Sequence, residues 1–284
     1  MSNAYNGRVL GADNIPSFKK ASGIWRPTFI AGQLRGLADG LRFPPSLQDP
    51  SFSSVVLLLH FDDIGDANHN GGSITNYGTC SKAVDYVQPV NGGPALQDVR
   101  PSVLHFGAAV ANIGIGAASA SIRSVQVLPD TSTLSMGTGD FTIEGWYWFQ
   151  SSFSQSSIFD FRTGASSVCP EVILFSTGSL TYQVSATQQI TTATGVIAAG
   201  SWFHIAVARS GTSTKMFVNG TALGGTYTDS NNYTSGGVTI GNNNLQGGIG
   251  NAGMTGYVGE FRVTKGVCRY TTTFTPPTAR FPDY

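Results

Sequence analysis

The chain has 284 residues, of which 11% are charged, and its 16 basic and 16 acidic side chains cancel. Typical globular domains carry about 25% charged residues, so this surface must consist of uncharged polar groups and many of the 36 glycines. Without a positive field or a Lys/Arg cluster, nucleic-acid binding is disfavoured. The longest apolar run, Val55–Leu59, is far short of the roughly 20 residues of a membrane-spanning helix, so membrane insertion is not expected.

Residues 1–50 differ from the rest, because their hydrophobic side chains are scattered among Gly and Pro without strand periodicity. A short helix is predicted over 30–40. A segment too small for its own core should bury its apolar groups against another surface. We therefore predict an attachment or oligomerisation arm with contact residues Ile24, Trp25, Phe29 and Phe43. The alternative is a strand and loop packed on the chain's own main domain.

Oxygen-bearing side chains are concentrated at 62–71, just after the first predicted strand. Asp66, Asn68 and Asn70 precede a glycine with the opening spacing of a calcium loop. Tyr77 stands where such a loop would place a bidentate Glu, so the predicted affinity is weak. The predicted loop ligands for a structural Ca²⁺ are Asp62, Asp63, Asp66, Asn68 and Asn70. An Asx-rich solvated turn is the alternative interpretation.

From Val55 onward, short alternating or β-branched runs end at Gly, Asn, Asp or Pro, which is typical of an all-β protein. In the run 141–149, period-2 alternation places Phe141, Ile143, Tyr147 and Phe149 on one face and Glu144, Trp146 and Trp148 on the other. Bulky residues on both faces indicate a central strand. Asn219-Gly220 predicts a hairpin between flanking apolar strands, and Val238–Ile240 is predicted as a short strand.

The sequence does not favour catalysis. Its only glutamates are Glu144, Glu171 and Glu260, and none lies in a Glu-x-Asp-x-Glu pattern that would pair two carboxylates on one strand. Neither Gly-x-Ser-x-Gly nor a His-x-x-x-His pair occurs. A contact between His204 and Glu144 is expected to be a structural polar pair. We predict a protein that is not an enzyme and requires no cofactor.

Glycan binding needs aromatic faces for sugar rings, together with amides and hydroxyls for sugar hydroxyl groups. Loops near the C-terminal half supply both kinds of group, whereas Trp146 and Trp148 are expected to be buried structural residues. The predicted ligand residues are Tyr227, Asn231, Asn232, Tyr233, Asn242, Asn243 and Asn244.

Three segments, Thr138–Phe149, Trp202–Gly211 and Gly256–Thr278, occur in an order that resembles laminin G-like, concanavalin A-like modules, especially those of bacteriophage virion proteins. The resemblance implies that residues 51–284 form a two-sheet antiparallel jelly-roll sandwich. Such modules often hold calcium between the first-strand loop and an acidic pair in the last strand, where this chain has Gly259 and Glu260, so the resemblance adds Glu260 to the predicted Ca²⁺ ligands. Ala21–Trp25, followed later by Phe43-Pro44, resembles a segment that precedes the module in phage tail and fibre proteins.

These observations predict a non-enzymatic virion protein of a tailed phage, in tail, fibre or capsid decoration, that contacts host-surface glycans. The resemblance implies other virion proteins as partners of the arm, and repeated copies in a homo-oligomer such as a trimer. The start of the chain has no export-signal pattern, so assembly in the host cytoplasm is expected. A free carbohydrate-binding or cell-adhesion module and a divergent glycoside hydrolase stay open as alternatives.

Overall fold

The computed structural model describes residues 49–61, 96–98, 105–106, 110–113, 125–127, 133–150, 155–164, 166–235, 237–243 and 253–282. The chain divides into two units, Met1–Leu47 and Gln48–Tyr284, and all described residues belong to the second. The predicted arm with Ile24, Trp25, Phe29 and Phe43, the helix predicted over 30–40 and the calcium loop at 62–71 lie outside the described residues. Those expectations stay predictions.

The described residues form fourteen β-strands and one turn of 3-10 helix, Phe52–Ser54. The strands are β1 (Val55–Leu59), β2 (Leu96–Asp98), β3 (Val110–Ile113), β4 (Val125–Val127), β5 (Phe141–Phe149), β6 (Ser156–Asp160), β7 (Pro170–Leu174), β8 (Leu180–Val184), β9 (Thr187–Thr191), β10 (Trp202–Ser210), β11 (Ser213–Val218), β12 (Thr221–Thr228), β13 (Val238–Ile240) and β14 (Gly256–Lys265). No helix in the described ranges is long and apolar enough to cross a membrane.

The strands pair antiparallel in two sheets. The eight-stranded sheet has the order β12-β11-β10-β5-β14-β3-β2, and β1 also pairs with β14. The six-stranded sheet has the order β4-β13-β6-β7-β8-β9. The predicted all-β, two-sheet antiparallel jelly-roll sandwich is confirmed, and β13 coincides with the predicted strand.

The core lies between the two sheets and depends on alternation within each strand. Phe141, Ile143, Tyr147 and Phe149 of β5 are buried in it with less than 2% of their surface exposed. The opposite sheet contributes residues such as Phe159, whose ring centroid lies 6.2 Å from that of Phe261 on β14. Full burial of one such side chain contributes about 1.5–3 kcal/mol. The predicted division of the β5 faces is confirmed, as is its central position between β10 and β14.

The predicted hairpin is also confirmed. Asn219 and Gly220, with φ of 47° and 79°, connect β11 to β12. Both residues of a type I′ turn need positive φ, which Asn tolerates and Gly adopts freely.

The face of the eight-stranded sheet that points away from the core, called the outer face below, is built from cross-strand rows. Trp202, Trp148 and Tyr257 form the first row across β10, β5 and β14, and His204, Trp146 and Glu260 form the second. The third row consists of Ala206, Glu144 and Arg262, and the fourth of Ala208, Thr142 and Thr264. The alternation of strand side chains thus places aromatic and ionisable groups together on one surface.

The C-terminal tail, residues 266–282, lies on this outer face. Thr142 anchors its start, because the Thr142 hydroxyl donates to the carbonyl of Val267 at 3.1 Å and accepts from the backbone N–H of Arg269 at 2.9 Å. Tyr270 and Phe274 stack with ring centroids 3.6 Å apart and contact Phe217. The tail therefore covers the third and fourth rows.

Candidate functional site

Glu144 is the centre of a buried ion network beneath the tail. Arg262 donates to Glu144 Oε1 from Nε at 2.9 Å and from Nη2 at 2.7 Å. The hydroxyl of Tyr270 donates to Oε2 at 2.8 Å, and Nε2 of His204 lies 3.1 Å from the same oxygen. The expected contact between His204 and Glu144 is thus present, and both side chains are fully buried.

The charge of Glu144 is stabilised by this network. Burial on its own raises the pKa of Glu144, but the Arg262 guanidinium and the contact with His204 outweigh burial and lower the pKa to about 2. Arg262 also donates to Asp49 at 3.0 Å, and Arg269 donates to both oxygens of Asp49 at 2.9 and 2.7 Å. Glu144 is ionised, is hydrogen-bonded to its neighbours through both oxygens, and is buried. A carboxylate in this state cannot serve as a proton donor to a substrate.

Glu260, the predicted calcium ligand of the last strand, has a different set of partners. Its carboxylate contacts His60 Nδ1 at 2.8 Å and accepts from Arg280 Nε at 3.2 Å and from the backbone N–H of Phe281 at 3.2 Å. These are the surroundings of a salt-bridged carboxylate rather than those of an oxygen-ligated cation.

Gly259 stands beside Glu260 where the resemblance implies an acidic residue, and the structure leaves little space for a side chain there. A Cβ at Gly259 would lie 2.9 Å from Cβ of His105 and 3.1 Å from its Cδ2. Among the described residues no group of three or more His, Cys, Asp and Glu side chains could hold a metal ion. At β14 the Glu260 carboxylate is paired with His60 and Arg280, and Asp62, Asp63, Asp66, Asn68 and Asn70 lie outside the described ranges, so the calcium site stays a prediction.

A second carboxylate cluster lies on the six-stranded sheet. Asp160, Glu171 and Gln183 are cross-strand neighbours on β6, β7 and β8. Arg162 Nη2 joins the two carboxylates at 2.9 Å from Asp160 and 2.8 Å from Glu171, and Gln183 donates to Glu171. Burial and the nearby Asp160 carboxylate raise the pKa of Glu171 to about 7.

Asp160 and Glu171 lie close enough together for acid/base chemistry, but a substrate cannot reach them. Asp160 and Glu171 are both completely buried, and Arg162 is 2% exposed. A glycosidase must bring a sugar and a water molecule between its two carboxyl groups. The arrangement is therefore that of a structural ion cluster.

The predicted glycan-binding residues of the loop after β12 are brought together by a buried aspartate. Asp229 accepts from the Thr214 hydroxyl at 2.9 Å and the Tyr233 hydroxyl at 2.7 Å. Asn231 donates from Nδ2 both to Asp229 at 2.9 Å and to the Tyr227 hydroxyl at 2.9 Å. Buried Arg209 donates to the carbonyl of Asn231 at 2.9 Å and so fixes the backbone of the loop from below.

The members of this loop differ in exposure. Asn232 is exposed, Tyr227 and Asn231 are half-buried, and Tyr233 has no exposed surface. Tyr233 therefore supports the loop from the interior, with the Arg209 guanidinium 4.9 Å from the centre of its ring. The groups that this loop presents to solvent are an amide, part of a phenol ring and neighbouring hydroxyls, all uncharged.

Asn242 and Asn243 lie elsewhere. Tyr233 precedes β13 and pairs with Gly137, close to the start of β5. Asn242 and Asn243 follow β13, where the N–H of Gly241 donates to the carbonyl of Ile158. The two groups thus lie at opposite ends of the sandwich, Asn242 is buried, and Asn244 is outside the described residues.

A group of aromatic side chains from the first and second rows of the outer face is a feature that sequence reasoning missed. Trp146, Trp148 and Trp202 are each only half-buried, contrary to the expectation that Trp146 and Trp148 are buried. His105 packs among them, with its ring centroid 4.2 Å from Trp202 and 4.7 Å from Trp146. The alternation of side chains along β5 predicts that Trp146 and Trp148 point outward. No local sequence pattern predicts the register between β5 and β10 or the position of His105.

Comparison with protein families gives one match that covers half of the chain. The model described as the concanavalin A-like lectin/glucanases superfamily, Laminin_G_3, matches residues 123–269. The chain belongs to the concanavalin A-like lectin/glucanase superfamily. The matched range includes β5, β10 and β14, so Glu144, His204 and Arg262 of this superfamily member lie within it, whereas Tyr270 and Asp49 of the same network lie outside it. A search of curated proteins gives no match.

Solved structures agree with the superfamily fold. The binding domain of botulinum neurotoxin serotype D/C VPI 5993 aligns with a TM-score of 0.51 and 14% identity, over 75% of this chain and 49% of that one. The binding domain of serotype C1 aligns with a TM-score of 0.50 and 14% identity over the same shares. This superfamily member therefore spans about half the length of those toxin domains.

A third structure is a carbohydrate complex. Domain 4 of AbnA, a GH43 extracellular arabinanase from Geobacillus stearothermophilus, in complex with arabinotriose, aligns with a TM-score of 0.48 and 17% identity, over 76% of this chain and 94% of that one. At 14% identity the two toxin binding domains show a likeness of fold alone.

Proposed function

We propose that this chain is a non-enzymatic adhesion protein that binds glycans through its sandwich loops and is carried on the virion of a tailed bacteriophage. The observation that carries the proposal is the contrast between buried charge and uncharged exposed loops. Six carboxyl side chains of the described residues are buried against cations or hydrogen-bond donors: Asp49, Glu144, Asp160, Glu171, Asp229 and Glu260.

The loop after β12 supports the glycan part. Its backbone is held by Arg209 and Asp229, so Tyr227, Asn231 and Asn232 are preorganised. Amides and phenols both donate and accept hydrogen bonds, as recognition of sugar hydroxyls requires. Preorganisation lowers the entropic cost of binding a flexible ligand.

The resemblance of three segments to phage virion modules supports the virion part. Low charge and a separate N-terminal unit suit a protein that is displayed in repeated copies and attached at one end. In this proposal the arm at 1–50 binds other virion proteins, the chain forms a homo-oligomer such as a trimer, and 51–284 contacts host glycans. The location is tail, fibre or capsid decoration after assembly in the host cytoplasm.

A glycan array probed with the purified full chain tests the binding function. We expect binding of at least one glycan that Asn232→Ala weakens, because Asn232 is the exposed amide of the loop. The same glycans are then incubated with the chain and assayed for new reducing ends. Binding without cleavage is expected, whereas cleavage that is lost in Glu171→Gln would identify a divergent hydrolase.

Electron microscopy of phage particles labelled with antibody against this chain tests the virion role. Label at a defined position on the particle is expected. Sugar binding by the chain with no label and no co-purification with particles would instead favour a free carbohydrate-binding or adhesion module. Deletion of 1–47, which keeps Asp49 and its ion pairs with Arg262 and Arg269, is expected to abolish incorporation while the sandwich still folds.

A further inference from the structure

The outer face of the eight-stranded sheet carries a cluster of rings beside the tail, at one end of the sheet. We name His105, Phe106, Trp146, Trp148 and Trp202 the ring cluster. Trp202 and Trp148 are register partners on β10 and β5, and Trp148 is also the register partner of Tyr257 on β14. With neighbouring strands about 4.8 Å apart, the row Trp202–Trp148–Tyr257 extends across roughly 10 Å.

Three buried polar atoms in this region have no hydrogen-bond partner among the described residues. They are Nε1 of Trp146, Nε2 of His105 and Nδ1 of His204. Trp146 contacts both imidazole rings, since its centroid lies 4.7 Å from that of His105 and 5.2 Å from that of His204. Buried polar atoms are nearly always paired in native proteins, so their concentration at one place indicates a polar partner that binds there.

The chemistry of these atoms restricts that partner. An indole N–H only donates, whereas a neutral imidazole has one nitrogen that accepts. His105 is neutral near pH 7, because burial and the neighbouring His204 lower its pKa to about 4. A hydroxyl group can satisfy a donor and an acceptor at once, but an anion can satisfy only the donor.

The half-buried side chains of Trp148 and Trp202 supply an apolar surface beside these polar atoms. Sugar rings combine an apolar face with peripheral hydroxyls, and aromatic side chains bind such faces through contact area and ring geometry. No charged side chain belongs to the ring cluster, and the nearest carboxylate in the second row, Glu260, is already bound to His60 and Arg280.

We propose that the ring cluster forms a binding subsite for a neutral oligosaccharide, with Trp148 and Trp202 in contact with sugar rings and His105 and Trp146 bonded to hydroxyls. This inference rests on the proposed glycan-binding function and adds a subsite separate from the loop of Tyr227, Asn231 and Asn232. Trp148 and Trp202 are partly exposed on adjacent strands, whereas Tyr257 is buried, so each tryptophan can contact one sugar ring and a disaccharide or longer chain is the expected ligand.

Tryptophan fluorescence of the full chain is the first measurement. Three of the four tryptophans belong to the ring cluster, and the fourth is Trp25. The probes are cellotriose, maltotriose and triacetylchitotriose, with 3′-sialyllactose as the charged comparison. A saturable change in emission and protection from acrylamide quenching are expected with at least one neutral trisaccharide.

Affinity measured by calorimetry for Trp202→Ala and Trp148→Ala is expected to fall at least tenfold. Trp202→Phe, which keeps a ring, is expected to retain part of the affinity, and melting curves confirm that each variant is folded. Asn232→Ala and Tyr227→Phe are the matched controls in the loop. They are expected to change trisaccharide affinity in the ring cluster less than twofold.

The outcomes separate this inference from the proposed function. A glycan that binds to the wild type, loses affinity in the loop variants and keeps it in the tryptophan variants would overturn the subsite and leave the function intact. The same holds if a bound trisaccharide gives no protection from quenching. Failure of the wild type to bind any glycan on the array or in solution would overturn both.

Discussion

Glu144 and Arg262 are register partners on the central strands β5 and β14, and Arg262 donates from Nε and Nη2 to the same oxygen of Glu144 at 2.9 and 2.7 Å. The pair lies below the tail, where His204 and Tyr270 also reach Glu144. One network therefore connects the sheet, the tail and, through Asp49, the segment before β1. Its connectivity makes the pair the best point at which to test what holds the tail in place.

Replacement of Arg262 by Met is expected to be strongly destabilising. Removing one partner of a buried ion pair leaves the other charge uncompensated and costs about 3–5 kcal/mol. Arg280→Met is the matched control, because Arg280 also pairs with a buried glutamate but its side chain is 32% exposed. Its loss should cost less than about 1 kcal/mol. Urea unfolding measures both, and equal effects would contradict this account of the network.

Gly220 and Gly200 offer a matched test of tail packing, because both have φ of +79°. Replacing either by Ala incurs the left-handed penalty of about 1–2 kcal/mol. At Gly220 the new Cβ would also lie 1.9 Å from the carbonyl oxygen of Phe274, whereas at Gly200 it meets nothing within 4 Å. We expect Gly220→Ala to destabilise by roughly 1–3 kcal/mol more than Gly200→Ala. Thermal melts of the two variants that coincide would rule out close packing of the tail on the hairpin.

His105 should make the fold sensitive to acid. Its folded-state pKa of about 4 is below the usual 6.5, so between these values the unfolded chain binds a proton that the folded chain excludes. The stability contribution is present above pH 6.5 and is lost as pH falls toward 4, with a magnitude of about 3 kcal/mol. His105→Phe, which keeps a ring but does not titrate, should remove the part of the pH dependence of stability that His105 contributes. Unfolding free energies between pH 7 and 4.5 measure it, and parallel curves for variant and wild type would contradict the assignment.

Glu171 should make the folding stability change with pH in the opposite direction to His105, over an overlapping pH range. Its folded-state pKa of about 7 lies above the usual 4.5, so the folded state binds a proton that the unfolded state has released. This contribution is present below pH 4.5 and is lost as pH rises through 7. Glu171→Gln should remove it and uncover a stability that rises with pH. The slopes from Glu171 and His105 partly cancel in the wild type, so each variant should show a steeper pH dependence than the wild type between pH 4.5 and 6.5.

The calcium loop predicted at 62–71 is tested by thermal melting of the full chain in EDTA and in added Ca²⁺. A bound ion stabilises by about 2.7 kcal/mol when present at 100 times its Kd, so the melting temperature should rise with Ca²⁺ concentration. Asp66→Asn should reduce the rise. Glu260→Gln should leave the Ca²⁺ dependence unchanged, because Glu260 is bound to His60 and Arg280. A melting temperature that does not respond to Ca²⁺ or EDTA would exclude the site.

Several elements were predictable because their causes are local. Alternation over 141–149 places one set of side chains in the core, and the two positive-φ residues Asn219 and Gly220 determine the hairpin. The contact between His204 and Glu144 also followed from the strand pattern and the resemblance. The cluster of Asp160, Arg162 and Glu171 was not predictable from the sequence, because its members come together only through the pairing of β6 with β7.

The sequence by itself determined the all-β class, the faces of the central strand, the hairpin turn and the uncharged character of the exposed loops. These properties depend on residue type, period and turn chemistry within a few neighbouring positions. Only the tertiary structure decided that Tyr233 supports a loop instead of facing solvent, that Glu260 pairs with His60 and Arg280, and that His105 lies between Trp146 and Trp202. The pairs named for Glu260 and His105 join residues from 20 to 200 positions apart, and they depend on strand register and on the path of the tail, which local patterns do not encode.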